Sequence, residues 1–180
     1  MGNEHTTFSS ILKEAEKSGY TEPDSREDLS GNDVARKLLI LAREIGIQRE
    51  FSDVQISSLL LPDLNEENTK AEYASNQQLL DKPYEIAKIT QAEKHVLRYV
   101  GELDVINQKL EVKLISTPIN SALGQLKGAD NLIEIYTKSY GEIPIVIQGA
   151  GAGKQVTARG VLNDILKIAE KIKLKESVFN

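Results

Sequence analysis

Cysteine is absent from all 180 residues. Disulfides, thiol nucleophiles and cysteine-ligated zinc are therefore excluded. Imidazole is almost as scarce: only His5 and His95 could supply it, too few for a transition-metal site. No metal is expected. Positive charge is also in short supply, with 22 Lys and Arg against 27 Asp and Glu and a net charge of −5. A pI near 5.2 argues against nonspecific attachment to nucleic acid or to an anionic membrane. No apolar run approaches the roughly 20 residues of a spanning helix, and residues 1–30 are too polar for a signal peptide. The expectation is a soluble cytoplasmic protein without nucleic-acid or membrane partners.

What is present suits one folded domain over 1–180. Hydrophobic residues make up 40% and charged residues 27%, both ordinary for a globular chain with a core. Residues 7–18 predict a short amphipathic helix, with Phe8, Ile11, Leu12 and Ala15 on one side and Gly19 as its stop. The strongest helix pattern covers 31–45, where Val34, Leu38, Leu41 and Ile45 repeat at helical spacing and Gly46 ends the run. Residues 51–61 read as a strand ended by Pro62. The polar stretch 63–95 reads as two helices, one on each side of Pro83. From 96 onward the texture is β, in "VLRYVGELDV", "QKLEVKLIST", "NLIEIYTKSY" and "IPIVIQ". A last helix is predicted over 157–173. Helices bracketing strands give an α+β class: a mostly antiparallel sheet of four to five strands, covered by N-terminal helices and a C-terminal one.

One stretch is chemically unusual. "GYTEPDSREDLSGNDVARK", residues 19–37, packs Glu22, Asp24, Glu27, Asp28 and Asp33 at the mouth of the strongest helix. Ser30 and Asp33 have the spacing of a capping box, with Ser30 as N-cap. Asp33 and Lys37 are i and i+4, about 5–6 Å apart at Cβ. The structural explanation is a cap, a favourable helix dipole and an exposed ion pair worth a few tenths of a kcal/mol. Glu22, Asp24 and Asp28 exceed what a cap needs, and Pro23 stiffens the loop. Clustered carboxylates repel one another unless they share a cation. The loop suits a ligand with an ammonium group, or a metal, with Lys37 reaching inward as a proton carrier. A lysine among apolar neighbours could have its pKa lowered for that task. Both explanations stand on chemistry alone.

The second unusual stretch is "IPIVIQGAGAGKQVTARGVLNDIL", a strand, a glycine turn and a helix. Bare backbone N–H groups near a helix start attract anions. The turn departs from a P-loop, because Gln148 stands where its first glycine belongs and Gln155 where Ser or Thr belongs. It departs from the dinucleotide fingerprint too, because Lys154 replaces the third glycine. Too little chain follows Gly153 to complete a dinucleotide-binding fold. The loop could touch a cofactor from the side, or be a tight turn without a ligand.

These two stretches resemble homoserine dehydrogenase, within its substrate-binding catalytic half. "LRYVGELD" and "NLIEIYTKSYGEIPIVIQG" fit the same family in order and spacing, and "ARKLLILAREIG" followed by "SSLLLP" is more similar to the form fused behind an aspartokinase. The resemblance implies reduction of aspartate semialdehyde to homoserine with NADPH or NADH, in threonine and methionine biosynthesis. It implies that Glu22 and Asp33 bind the substrate's amino group, with Asp28 as a further carboxylate. It implies that Lys37 donates the proton to the forming hydroxyl. Gly153, shaped by Gly149 and Gly151, would lie against the nicotinamide end of NADP or NAD. The family places its Rossmann domain upstream, so this chain is expected to be a fragment that folds without turning over, with Met1 not the native start. A homodimer through the sheet is expected, since bare strands invite pairing. Ser25 stands where the family commonly has proline, a departure expected to loosen the acidic loop. Two other classes compete: a noncatalytic amino-acid-binding regulatory module, and a structural interaction domain with a solvated acidic loop.

Overall fold

The computed structural model describes residues 6–65, 67–128, 130–151 and 154–178. The chain comprises two compact units, Met1–Gln125 and Leu126–Asn180.

In the first unit, Thr7 caps α1 (Phe8–Ser18) and Gly19 closes it in the left-handed conformation. The acidic stretch contains a short helix, α2 (Arg26–Ser30), and then α3 (Asn32–Glu44) begins. Ala35, Leu38, Leu39 and Ala42 form the buried stripe of α3. They pack on Leu110 and Val112, with Val34, Tyr99 and Leu103 at the margin. The helix ends at Gly46, and the following Ile47 turns back into the same core with its N–H on the Ala42 carbonyl at 2.9 Å. The sheet beneath α3 has the order β1 (Gln55–Ile56), β3 (Lys109–Pro118), β2 (His95–Asp104). Strands β2 and β3 pair antiparallel from His95↔Pro118 to Asp104↔Lys109, and β1 pairs parallel to β3. A side chain placed at Gly101 would meet Val34 at 3.0 Å, so this glycine lets α3 lie close on β2. The other face of the sheet is charged: the Lys113 ammonium lies 2.8 Å from Glu102 and 2.7 Å from Glu111. Those two carboxylates raise its pKa above the usual lysine value.

A second cluster joins Leu12 of α1, Leu29 of α2, Leu64, Tyr73 of α4 (Lys70–Asn76) and Leu80, with Phe8 and Leu59–Leu61 against it. Helix α5 (Asp81–Thr90) follows. Pro83 sits inside its first turn, where its missing N–H would have no helical partner. The helix boundary therefore lies before the proline rather than at it. Residues 51–61 depart from the predicted strand. Phe51–Asp53 form a 3-10 turn closed reciprocally by Glu50 and Asp53, leaving two residues for the ladder.

In the second unit, β4 (Asp130–Ile135) and β5 (Ile145–Ala150) pair antiparallel, and α6 (Lys154–Val178) follows. Every residue of β5 is exposed. The chain is α+β as expected, but among the described residues the five strands divide into sheets of three and two, not one sheet of four to five. Side-chain alternation reports which residues share a face; it does not report which strand edges bond. Among the described residues, no helix is long and apolar enough to cross a membrane.

Candidate functional site

Helix α2 makes the acidic stretch orderly. Leu29 sinks into the second core cluster while the buried stripe of α3 sits in the first, so the stretch bridges the two. The joint between the helices is Gly31, at φ +82°. A Cβ there would stand 2.2 Å from the Tyr99 hydroxyl, so both the backbone and the space demand glycine. The predicted capping box is not formed. Gly31 is the N-cap of α3, and no side chain caps the helix there. Ser30 closes α2 instead, donating to the Glu27 carbonyl at 2.8 Å and accepting the Asn32 N–H at 3.2 Å. The inserted helix places Ser30 before the left-handed turn, beyond reach of the third residue of α3.

Two of the five carboxylates pair with arginines. Arg26 grips Asp24 through Nε at 2.9 Å and Nη2 at 2.7 Å, and this bidentate grip lowers the Asp24 pKa from its ordinary value. Arg36 pairs with Glu27 and lies over the Phe51 ring. Glu22, Asp28 and Asp33 remain. The Glu22 N–H donates to Asp28 Oδ2 at 3.0 Å. Burial raises the Asp28 pKa above its ordinary value; the Glu22 N–H bond opposes this, and the nearby charges of Glu22 and Asp33 add to it. Asp33 in turn receives the Lys37 ammonium at 2.7 Å. The four sequence-predicted residues therefore share one electrostatic neighbourhood, with Asp28 as its half-buried centre.

Lys37 departs from the predicted apolar setting. Its side chain is 61% exposed, because positions 36, 37, 40 and 41 form the outer face of α3. Among the described residues, no group of three His, Asp or Glu side chains could hold a metal ion. The arrangement offers a cation several acceptors without the convergence that a metal shell needs.

Ser25 departs from expectation as well. It is buried, and its hydroxyl lies 2.9 Å from the Tyr73 hydroxyl while donating to Glu16. It ties the loop down. Arg26, Tyr73 and Tyr99 escaped the sequence reading. The only hint was one arginine inside an acidic run.

The segment 57–59 connects the loop to the sheet. The Ser57 N–H donates to the Val112 carbonyl at 2.8 Å, and the Leu59 N–H to the Leu29 carbonyl at 2.9 Å. The Tyr99 hydroxyl donates to the Ser57 carbonyl at 3.0 Å.

In the glycine turn, Gly149 is the last but one residue of β5 and a Cβ there would meet nothing within 4 Å. A Cβ at Gly151 would stand 2.0 Å from the Asn131 amide, so a larger residue there would have to displace that exposed side chain. Gly153 lies outside the described residues.

An α+β scaffold thus brings three carboxylates and a lysine together on one stretch of its first unit. The sequence profile described as homoserine dehydrogenase matches residues 1–166, and the chain belongs to that family. A bifunctional aspartokinase/homoserine dehydrogenase 1 of Zea mays is 43% identical over 91% of this chain and 18% of its own length. A homoserine dehydrogenase of Emericella nidulans is 41% identical over 95% of this chain and 48% of its own length. The crystal structure of a Candida auris protein superposes with a TM-score of 0.82 at 39% identity, covering 95% of this chain and 48% of that one. The chain thus spans less than half the length of each of these relatives. Fused and free-standing relatives are almost equally similar, so identity does not single out the fused form.

Proposed function

We propose that this chain is the substrate-binding, catalytic part of an oxidoreductase that reduces aspartate semialdehyde to homoserine. Family membership supports an oxidoreductase of amino-acid biosynthesis. The observation that carries the substrate assignment is the division of the carboxylates. Asp24 and Glu27 are matched by arginines and Asp33 by Lys37, which leaves Glu22 and Asp28 as adjacent carboxylates with no ion pair among the described residues. The ammonium group common to both substrates would supply their counter-charge and fix the reacting carbon in place.

Lys37 then acts as the general acid. Its ammonium passes a proton to the carbonyl oxygen as that carbon accepts a hydride, so aldehyde, hydride and proton together give the alcohol. Asp33 holds the ammonium in place between turnovers. A nicotinamide cofactor, NADP or NAD, supplies the hydride when bound. The open position at Gly149 fits the flank of such a group, and Gly151 shapes the turn beneath it. Gly153 is assigned to the same contact. A cytoplasmic homodimer, paired through the sheet, completes the reading.

The test is Lys37→Ala in a complete dehydrogenase carrying this segment. Turnover should fall by about 10²–10⁴-fold, while calorimetry still records homoserine binding. Unchanged turnover would leave the amino-acid-binding regulatory module as the better reading. Unchanged homoserine binding in Glu22→Gln and Asp33→Asn would remove both.

A further inference from the structure

The amine-binding reading leaves Arg26 without a task, although it is the most heavily committed side chain near the site. It is 8% exposed, in a chain where most arginines and lysines face water. Its Nε and Nη2 hold both oxygens of Asp24, and its Nη1 donates to the carbonyls of Asn65 and Asn68 at 2.8 Å each. The plane of the guanidinium lies over the Tyr73 ring, 5.2 Å from its centroid. Tyr73 meets Ser25 at 2.9 Å, so the neighbouring loop residue is fixed by the same ring that Arg26 covers. A lysine could not reproduce this, because a point charge lacks the planar fork.

Arg26 lies in the stretch that joins two of the carboxylates. Glu22 and Asp28 flank it in sequence, and the Glu22 N–H to Asp28 bond closes the loop around it. Fixing residues 24–26 to α4 and to the Asn65 and Asn68 carbonyls therefore fixes the span between Glu22 and Asp28. Its charge also neutralises Asp24, which keeps a further carboxylate from competing for the ligand.

We infer that Arg26 is a positioning residue for substrate recognition: its clamp on Asp24, Asn65 and Asn68 sets the spacing of Glu22 and Asp28 for a substrate ammonium. This rests on the amine-binding role given to those carboxylates above. A group that only shapes the binding of the ammonium acts equally on ground state and transition state, so its loss appears in KM and not in kcat.

The experiment uses a complete dehydrogenase carrying this segment, with homoserine oxidation followed at saturating cofactor. Arg26→Lys should raise KM for homoserine about tenfold, with kcat per folded active site within twofold and the cofactor KM unchanged. Asp24→Asn, which keeps the shape of the clamp and weakens its charge, should raise KM by a few-fold. That variant also serves if Arg26→Lys does not fold. A purely structural role would lower the melting temperature and the active fraction while leaving KM at the wild-type value, and that result in both variants overturns the inference. Glu22→Gln serves as the control. If it raises KM while the clamp variants do not, the inference falls and the amine-binding reading stands; if it too leaves KM unchanged, both fall.

Discussion

Helices α3 and α6 carry similar apolar spacing and meet different fates. On α3, Ala35 and Ala42 are fully buried against a sheet that the same unit provides. On α6, Val161, Leu162, Ile165, Ile168 and Ile172 are each more than half exposed. Apolar periodicity therefore announces a face that can be covered, and it is silent about what covers it. The first unit supplies its own cover and carries the acidic site. The second presents apolar surface of the kind that marks an interaction face.

Substitutions can sharpen or erase this contrast. The largest expected effect is at Leu38: Leu38→Ala should cost about 2–5 kcal/mol in urea unfolding, whereas Ile165→Ala on α6 should stay within about 0.5 kcal/mol. Equal losses would mean that the exposed helix is held as firmly as the buried one. Glycines give the next contrast. Gly31→Ala must place a Cβ at φ +82° against the Tyr99 hydroxyl, and about 1–3 kcal/mol should be lost. Gly149→Ala meets open space and should be nearly neutral. Thermal melts of the two variants separate them.

The smallest effect is a pH dependence confined to Asp28. Burial raises its folded pKa above 3.8, so the folded chain holds that proton more tightly than the unfolded chain does. Its contribution to stability is complete below pH 3.8 and is lost as pH rises through the raised folded value. Asp28→Asn should flatten that part of the stability–pH curve. A bound ammonium favours the carboxylate, so homoserine affinity should rise across the same window, and the variant should lose this rise as well. Affinity that is flat in wild type would separate Asp28 from the ligand.

Legibility in the sequence followed the range of the interactions. Helices α1 and α3, each ended by a glycine, and strands β2 and β3 have long single-period patterns, so local rules suffice. Helix α2 is five residues with Leu29 as its one apolar side chain, and no period can reveal it. Its presence moved Ser30 out of the capping role. The strand predicted over 51–61 failed because the Glu50 and Asp53 side chains close a turn there. At the site, Glu22, Asp28, Asp33 and Lys37 were visible as an excess of charge at helical spacing. Tyr73 and Tyr99 were not, because each reaches the loop from far along the chain. The exposure of Lys37 was equally out of sight, since it depends on which face of α3 meets the sheet.

Leu59 and Ser57 have a consequence of their own. Their backbone amides fasten α2 to β3 through a span of three residues, which makes that span a ruler between the carboxylates and the sheet. One added residue of extended chain would lengthen it by about 3.3 Å, several times the roughly 0.5 Å within which a binding constellation must be held. Length therefore matters more here than side chain, so a single inserted glycine between positions 57 and 59 should do more harm than replacing any of the three residues by alanine.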